Sequence, residues 1–312
     1  MRRTPRAIAH ATMLLAAAVS TAVLAAPRLP TDAEPHPLHV DCRGERTNAP
    51  TVILESGAFG TSADWDRVLP DLARAGRVCA YDRAGVGDSP PRAGGEDVVS
   101  IAHELRGLLD ALGETRPVIL VGHSNGALYA ETFAAMWPER VAGLVYVNGV
   151  GSDDLDSRAL LGDLAGERQI ADLAAETGDL GLARPFARMA VSAEHLSPNA
   201  AARKFRFLTN VRGLRVARDE DRAIVPGLAI PRELGGPPPS IPVVVIVGAT
   251  QPRMDIARAW RMAEIAPANR ARLSLTLDAV GATHVSPLAR DRAWIVAAVD
   301  WLRSLPRPDV GH

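Results

Sequence analysis

The residues Gly122-His123-Ser124-Asn125-Gly126 have the types and the spacing that a nucleophilic serine needs. They follow a continuous apolar run, 118–121, and precede a segment with helical periodicity. A Gly-x-Ser-x-Gly sequence between a buried strand and a helix forms a sharp turn that presents the serine hydroxyl away from the backbone. The alternative is a tight turn in which the serine is incidental. The strand–turn–helix context favours Ser124 as the nucleophile of an acyl-transfer reaction.

Strand-like and helix-like segments alternate along the chain and would position such a serine. Continuous β-branched runs are typical of strands buried on both faces of a parallel sheet, and apolar residues at helical spacing separate them. The strand-like segments are 38–42, 51–56, 77–82, 117–122, 143–148, 242–248 and 271–278. Helices are predicted at 62–76, 98–113, after Ser124, at 255–265 and at 290–304. This alternation predicts an α/β fold with a mostly parallel central sheet and helices on both faces.

The alternation stops between about residues 151 and 240, where the sequence is rich in Ala, Leu and Arg and has helical periodicity. We therefore predict a core domain in two parts, 27–150 and 241–312, with a helical insertion at 151–240.

The net charge of −1 offers no field that would attract nucleic acid or an anionic membrane. A small molecule is the expected partner.

Residues 1–26 have the layout of a secretory signal peptide. Arg2, Arg3 and Arg6 precede an apolar, alanine-rich run that ends in small residues before Pro27. A retained membrane anchor is the competing interpretation, but polar residues interrupt the run and make it weakly hydrophobic for a spanning helix. We expect export to the periplasm or the medium, with no membrane association after cleavage.

Four motifs, in order, resemble the α/β-hydrolase superfamily and within it a secreted bacterial group of serine hydrolases and esterases. They are "CRG" (42–44), "ESG" (55–57), "VCAYDRAGVGDS" (78–89) and the serine motif. The resemblance extends from about His39 to Leu305, with the insertion least matched. It implies an α/β-hydrolase fold in which the insertion forms a helical cap over Ser124.

The resemblance also assigns the base and the oxyanion donors. His284, in "GATHVSP" after the last strand, matches the family's general base and comes last of the triad in chain order. The backbone amides of Asn125 and Ala58 match the pair that stabilises the oxyanion of the tetrahedral intermediate. His123 is expected to support the turn from behind.

Both positions at which relatives carry the triad acid hold amides here: Gln251, after strand 242–248, and Asn148, at the end of strand 143–148. Asp255, four residues beyond Gln251, is our first candidate for the acid. The alternatives lie near Asn148. Either Asp153 or Asp154 supplies the carboxylate, or Asn148 orients the base as a neutral amide does in cysteine proteases.

The chain has two cysteines, Cys42 and Cys79. In an exported protein such a pair indicates one disulfide, and two separate buried thiols are the alternative. The strands that carry them are neighbours in the fold of the family, so the resemblance implies a Cys42–Cys79 disulfide. Asp82 and Arg83, in the turn at the end of strand 77–82, are expected to fix that loop by a salt bridge and turn hydrogen bonds.

Together these inferences predict a serine hydrolase that cleaves a carboxylic ester, or less readily an amide, without a metal or an organic cofactor. Dehalogenase and epoxide hydrolase relatives carry an aspartate where Ser124 stands. Two alternatives remain. One is a cofactor-free haloperoxidase or C–C hydrolase that uses the same triad. The other is a ligand-binding or weakly active relative, which the amides at Asn148 and Gln251 favour.

Overall fold

Seven strands form one sheet in the structure, which is a computed structural model. The strands are β1 (Val40–Arg43), β2 (Val52–Glu55), β3 (Val78–Tyr81), β4 (Val118–His123), β5 (Val141–Val147), β6 (Val243–Val247) and β7 (Ser274–Asp278). The structure describes residues 38–92, 94–149, 151, 158–178, 183–193, 195–248 and 254–306. The predicted signal peptide, 1–26, and the predicted acids Asp153 and Asp154 lie outside these residues, as does Gln251.

The strand order is β1-β3-β2-β4-β5-β6-β7. β1 is antiparallel to β3, and each other neighbouring pair is parallel. The predicted α/β fold with a mostly parallel sheet is therefore confirmed. Because the carboxyl ends of parallel strands meet at one edge of the sheet, the loops after β2, β4, β5, β6 and β7 converge there, where α/β proteins bind ligands.

Helices cover both faces of the sheet. They are α1 (Leu69–Leu72), α2 (Val98–Ala111), α3 (Asn125–Met136), α4 (Arg158–Thr177), α5 (Ala183–Ala193), α6 (Pro198–Leu208), α7 (Val211–Gly227), α8 (Ile230–Glu233), α9 (Met254–Arg270) and α10 (Ala293–Ser304). Alternate residues of β2 face opposite sides, since Val52 and Leu54 pack with α1 and α10 whereas Ile53 packs with α2 and α3. All three are fully buried, as expected for a strand covered on both faces.

The single helix predicted at 62–76 is wrong. The segment instead forms a 3-10 turn at Ser62–Trp65, the short α1 and a second 3-10 turn at Ala73–Ala75. Pro70 lies in the first turn of α1, where its missing N–H group costs no hydrogen bond within the helix. A helix that began at residue 62 would place this proline in its interior, where it is disfavoured.

Within the described residues, five helices, α4 to α8, lie between β5 and β6. Their buried apolar side chains form a cluster that includes Phe207, Leu208 and Leu214, and Phe59 of the loop after β2 packs against it. Lys204, the only lysine of the chain, is buried in α6 and binds both carboxylate oxygens of Asp64 at 2.7 Å. The helical segment is thus joined to the core by apolar packing and by a buried ion pair.

Cys42 of β1 and Cys79 of β3 are directly paired in the sheet and form the predicted disulfide. The bond joins the edge strand to its neighbour. In the described part of the chain, no helix has the length and apolar character that crossing a membrane requires.

Candidate active site

Ser124 lies at the turn between β4 and α3, with φ 53° and ψ −125°. This conformation is strained for a residue with a side chain and is typical of functional turns. The flanking glycines are required, because a Cβ atom at Gly122 would lie 2.5 Å from the backbone N of Ala127, and one at Gly126 would lie 2.4 Å from the backbone O of Glu55. The strand–turn–helix context predicted for the serine motif is present, and the Ser124 side chain is partly open to solvent.

The loop after β2 lies directly against this serine. A Cβ atom added to Gly57 would lie 2.9 Å from the Cβ of Ser124. Among the described residues, neither the backbone N–H of Ala58 nor that of Asn125 donates a hydrogen bond, whereas the side chain of Asn125 donates to Asp221 at 3.5 Å. The two amides that the sequence predicts as oxyanion donors are thus next to the serine and have no partner in the described structure.

His284 is brought to the same place by the loop after β7. Its backbone O accepts hydrogen bonds from His123 Nε2 and from Asn148 Nδ2, each at 2.9 Å. The centroids of the His123 and His284 rings are 4.8 Å apart. Within the described residues Ser124 and His284 share no direct hydrogen bond, a common situation in ligand-free sites, where catalytic contacts tighten on binding.

The two histidines differ in role. His123 is buried, and burial lowers its pKa to about 4. Since a carbonyl oxygen only accepts, His123 Nε2 carries the hydrogen, and the neutral ring supports the loop of His284 from behind the turn, as the sequence predicts. The side chain of His284 reaches solvent at one edge. The surrounding protein still removes part of the solvation of its charged form, which lowers its pKa, and the nearby His123 ring lowers that pKa further.

In the described structure the side chain of Asn148 bonds to backbone groups, and none of its hydrogen bonds goes to the imidazole of His284. Its Nδ2 donates to the backbone O of His284 and, at 3.3 Å, to that of Thr283, while its Oδ1 accepts from the Gly248 amide at 2.8 Å. The side chain therefore joins the ends of β5 and β6 to the histidine loop through backbone groups. The side chain of Asp255, near the start of α9, lies outside the described residues, so the triad acid stays a prediction.

Asn148→Asp is expected to destabilise the protein and not to raise its activity. A carboxylate at this site, which is 1% exposed, would set acceptor oxygens against the carbonyls of Thr283 and His284. Losing both donors should lower the free energy of unfolding by about 2–4 kcal/mol, as measured by urea denaturation.

The matched control is Asn210→Asp, because Asn210 caps α7 with its oxygen and aspartate keeps that acceptor. An Asn148→Asp variant with wild-type stability and higher turnover would contradict this account and would show that the carboxylate reaches the His284 ring.

Arg83 is the most heavily bonded residue beneath the site, and its predicted loop-fixing role is confirmed. Its guanidinium forms ion pairs with Glu55 and with Glu220 of α7. Asp82 accepts from the backbone amides of Ser62 and Asp88. Sequence reasoning missed Glu220, which stands in a run of charged helical residues with no distinguishing pattern. Glu55 could have been found from sequence, because a charged residue at the end of a buried apolar strand needs a partner of opposite charge.

One group of described residues, His39, Asp82 and Asp88, has metal-ligand spacing. Arg203 already occupies it, donating to His39 Nε2 at 2.8 Å and to Asp88 at 2.9 Å. A guanidinium between these side chains leaves no place for a second cation, so the group does not fit a metal.

A family model described as alpha/beta hydrolase fold matches residues 50–288, a span that contains Ser124, the loop after β2 and His284. Among curated relatives, "Putative carbamate hydrolase RutD" of Stutzerimonas stutzeri (strain A1501) is 36% identical over 117 residues, which are 37% of this chain and 44% of that protein. The match therefore spans less than half the length of that relative.

Solved structures resemble the chain over most of its length. Cfl2 from Burkholderia cenocepacia superposes with a TM-score of 0.61 at 24% identity, covering 85% of this chain and 92% of that one. A thermophilic esterase from Thermogutta terrifontis superposes with a TM-score of 0.59 at 22% identity, covering 85% and 93%. At these identities the likeness establishes the fold alone.

Proposed function

Since this chain belongs to the α/β-hydrolase family, we propose that it is a serine hydrolase that cleaves small or medium carboxylic esters through an acyl-enzyme. The observation that carries the proposal is the strained backbone of Ser124, which presents a hydroxyl beside two unpartnered amides of the described structure. A tight turn without a reacting serine has no need of this arrangement.

In the proposed mechanism Ser124 Oγ attacks the acyl carbon while His284 takes its proton. The carbonyl oxygen gains negative charge and accepts from the amides of Ala58 and Asn125, and the N-terminus of α3 favours that charge. The C–O bond to the alcohol breaks as His284 returns the proton to the leaving oxygen. His284 then activates water to release the acid and restore Ser124. Asp255 is proposed to orient His284, with Asp153 or Asp154 as alternatives.

The pH dependence follows from the lowered pKa of His284, since the base acts only in its neutral form. A lowered pKa keeps the ring neutral to lower pH than an ordinary histidine, whose pKa is about 6.5. We expect the acid limb of kcat/KM to have its midpoint below about 6.5, measured with an uncharged ester. A midpoint above that value, which falls in Asp255→Asn, would contradict the lowered pKa of His284 and would place a carboxylate beside the ring.

We also propose that residues 151–240 act as a cap that excludes water and shapes the pocket, and that the protein is exported after cleavage of 1–26. The Cys42–Cys79 disulfide supports export, because such bonds persist in oxidising compartments. The mass of the mature N-terminus tests cleavage directly.

The test of the function is hydrolysis of p-nitrophenyl acetate, butyrate and octanoate by the mature protein. Turnover that falls with chain length indicates a short acyl pocket, and turnover that rises indicates a long one. Absence of turnover on all three esters, with activity in a halogenation or a C–C cleavage assay, would replace the ester proposal by another reaction of the same triad.

The second candidate is a ligand-binding relative with little turnover. Two observations favour it. The Asn148 side chain forms its hydrogen bonds with backbone groups. Among the described residues, no carboxylate bonds to the His284 ring. Binding of an ester without hydrolysis, measured by calorimetry, would support this candidate over the first.

A further inference from the structure

The guanidinium of Arg83 is buried between two carboxylates that come from different parts of the fold. Its Nε and Nη2 atoms donate to the two oxygens of Glu220 at 2.8 Å each, and Nη1 donates to Glu55 at 2.7 Å. Arg83, Glu55 and Glu220 are each 1% exposed or less. The guanidinium also lies 4.9 Å from the centroid of the Tyr129 ring. Its plane is therefore fixed from several sides.

The same guanidinium reaches the loop that carries the oxyanion donor. Nη1 donates to the backbone O of Ser56 at 2.7 Å, and Nη2 donates to the backbone O of Gly57 at 3.1 Å. With the bonds to the two glutamates, all five N–H groups of Arg83 have an acceptor. No other donor of the side chain remains, so a shift of Arg83 must break or lengthen one of these bonds.

The bond to Gly57 has a direct geometric consequence for Ala58. The C=O of Gly57 and the N–H of Ala58 belong to one peptide unit, which is planar and trans, so the two groups point in opposite directions. Holding the carbonyl toward Arg83 turns the Ala58 amide toward the opposite side. The backbone N–H of Gly60 also donates to the Gly57 carbonyl, at 3.0 Å, so two donors hold this peptide, and Arg83 is the one that links it to the helical segment.

We propose that Glu220 of α7 is a positioning residue for the oxyanion hole. Through its two bonds to Arg83 it fixes the guanidinium, and through Arg83 it holds the Gly57–Ala58 peptide together with the amide of Gly60. The helical segment thereby helps to turn the Ala58 amide toward the reacting carbonyl. This inference rests on the proposed serine hydrolase function.

Glu220→Gln tests this coupling without leaving Arg83 unpaired. The cluster has two carboxylates for one guanidinium, and the substitution leaves the Arg83–Glu55 pair. Glutamine keeps one acceptor, but its NH2 group faces an N–H of Arg83, so the guanidinium can turn toward Glu55 and away from Gly57. The expected damage is to the oxyanion hole and not to substrate binding.

The experiment compares wild type and Glu220→Gln with p-nitrophenyl butyrate as substrate and an alkyl trifluoromethyl ketone as inhibitor. The inhibitor forms a hemiketal oxyanion on Ser124 and so reports the hole directly. We expect kcat to fall about 10- to 100-fold, below the loss for a deleted donor, with KM within about twofold. The inhibition constant should rise by a similar factor to the loss in kcat. A purely structural role of Glu220 would not lower kcat and inhibitor affinity together while leaving KM unchanged.

The control is Asp88→Asn, which removes the negative charge that Asp88 presents to Arg203 of α6 and does not touch the loop of Gly57. It should leave kcat and the inhibition constant within twofold of wild type. Folded Glu220→Gln protein with unchanged kcat and inhibition constant overturns the inference, and so does an equal effect of Asp88→Asn.

If Glu220→Gln does not fold, Glu220→Asp provides the test. The aspartate side chain keeps the charge but is too short to form both bonds to Arg83. A drop in kcat and in inhibitor affinity supports the inference, and wild-type values overturn it. If the wild-type protein has no activity, the proposed function itself is wrong. If the wild type is active and the Glu220 variant has unchanged kcat and inhibition constant, only the proposed role of Glu220 is wrong.

Discussion

Replacing Ser124 by alanine is expected to lower kcat for p-nitrophenyl butyrate by about 10⁶, because the variant has no oxygen that can form the acyl-enzyme. Residual hydrolysis of about 10³–10⁴ over water should persist, since the oxyanion hole and substrate binding stay in place. The fold should be retained, because alanine is smaller than serine and keeps the backbone of the turn. Thermal unfolding of both proteins checks this.

Ser304→Ala is a suitable control, since Ser304 is exposed at the end of α10 and, among the described residues, its hydroxyl donates to the backbone O of Trp301 alone. It should hydrolyse the ester at the wild-type rate. A Ser124→Ala variant that keeps about 1% of wild-type turnover or more is incompatible with the loss expected for a nucleophile.

Replacing His284 by alanine is expected to lower kcat by a similar factor, about 10⁶. Without a base to take its proton, the Ser124 hydroxyl is a weak nucleophile at neutral pH. Since the two residues act as a unit, the Ser124→Ala/His284→Ala double variant should be no slower than either single variant. This non-additivity separates a joint catalytic role from two independent contributions.

The neighbouring ring makes a second comparison necessary. His123 is buried and donates to the backbone O of His284, so His123→Asn should disturb the loop and lower kcat far less than His284→Ala. His103, which packs edge-on against Trp137 at 5.0 Å, provides an unrelated histidine, and His103→Asn should be neutral for catalysis. Loss of activity in His123→Asn with retention in His284→Ala would reverse the assignment of the base.

Much of the fold and part of the candidate site follow from local sequence. The β-branched runs predict the buried strands because a strand covered on both faces must be apolar throughout. Gly122 and Gly126 predict the turn of Ser124 because no other residue fits so close to Ala127 and Glu55. Local reasoning failed at 62–76, where apolar spacing favoured one long helix although a proline in its interior, Pro70, disfavours it.

The remaining features depend on contacts between distant segments. Arg83 and Glu220 are 137 residues apart in sequence, and nothing near either residue reveals the other. The role of Asn148 was likewise hidden, because its side chain bonds backbone carbonyls and an amide, and backbone groups carry no sequence signal. An amide at a position expected to hold an acid is explained by the acceptors it meets, and these are known only from the folded structure.

The most direct test of the central claim is mass spectrometry after treatment with a fluorophosphonate, which forms a covalent bond with an activated serine. Ser124 is the only serine between Arg106 and Arg140, so the tryptic peptide assigns the site without ambiguity. The account predicts one adduct per chain, on Ser124, that is absent in Ser124→Ala and strongly reduced in His284→Ala. An unlabelled Ser124 in folded wild-type protein, or an adduct on a different residue, would contradict it.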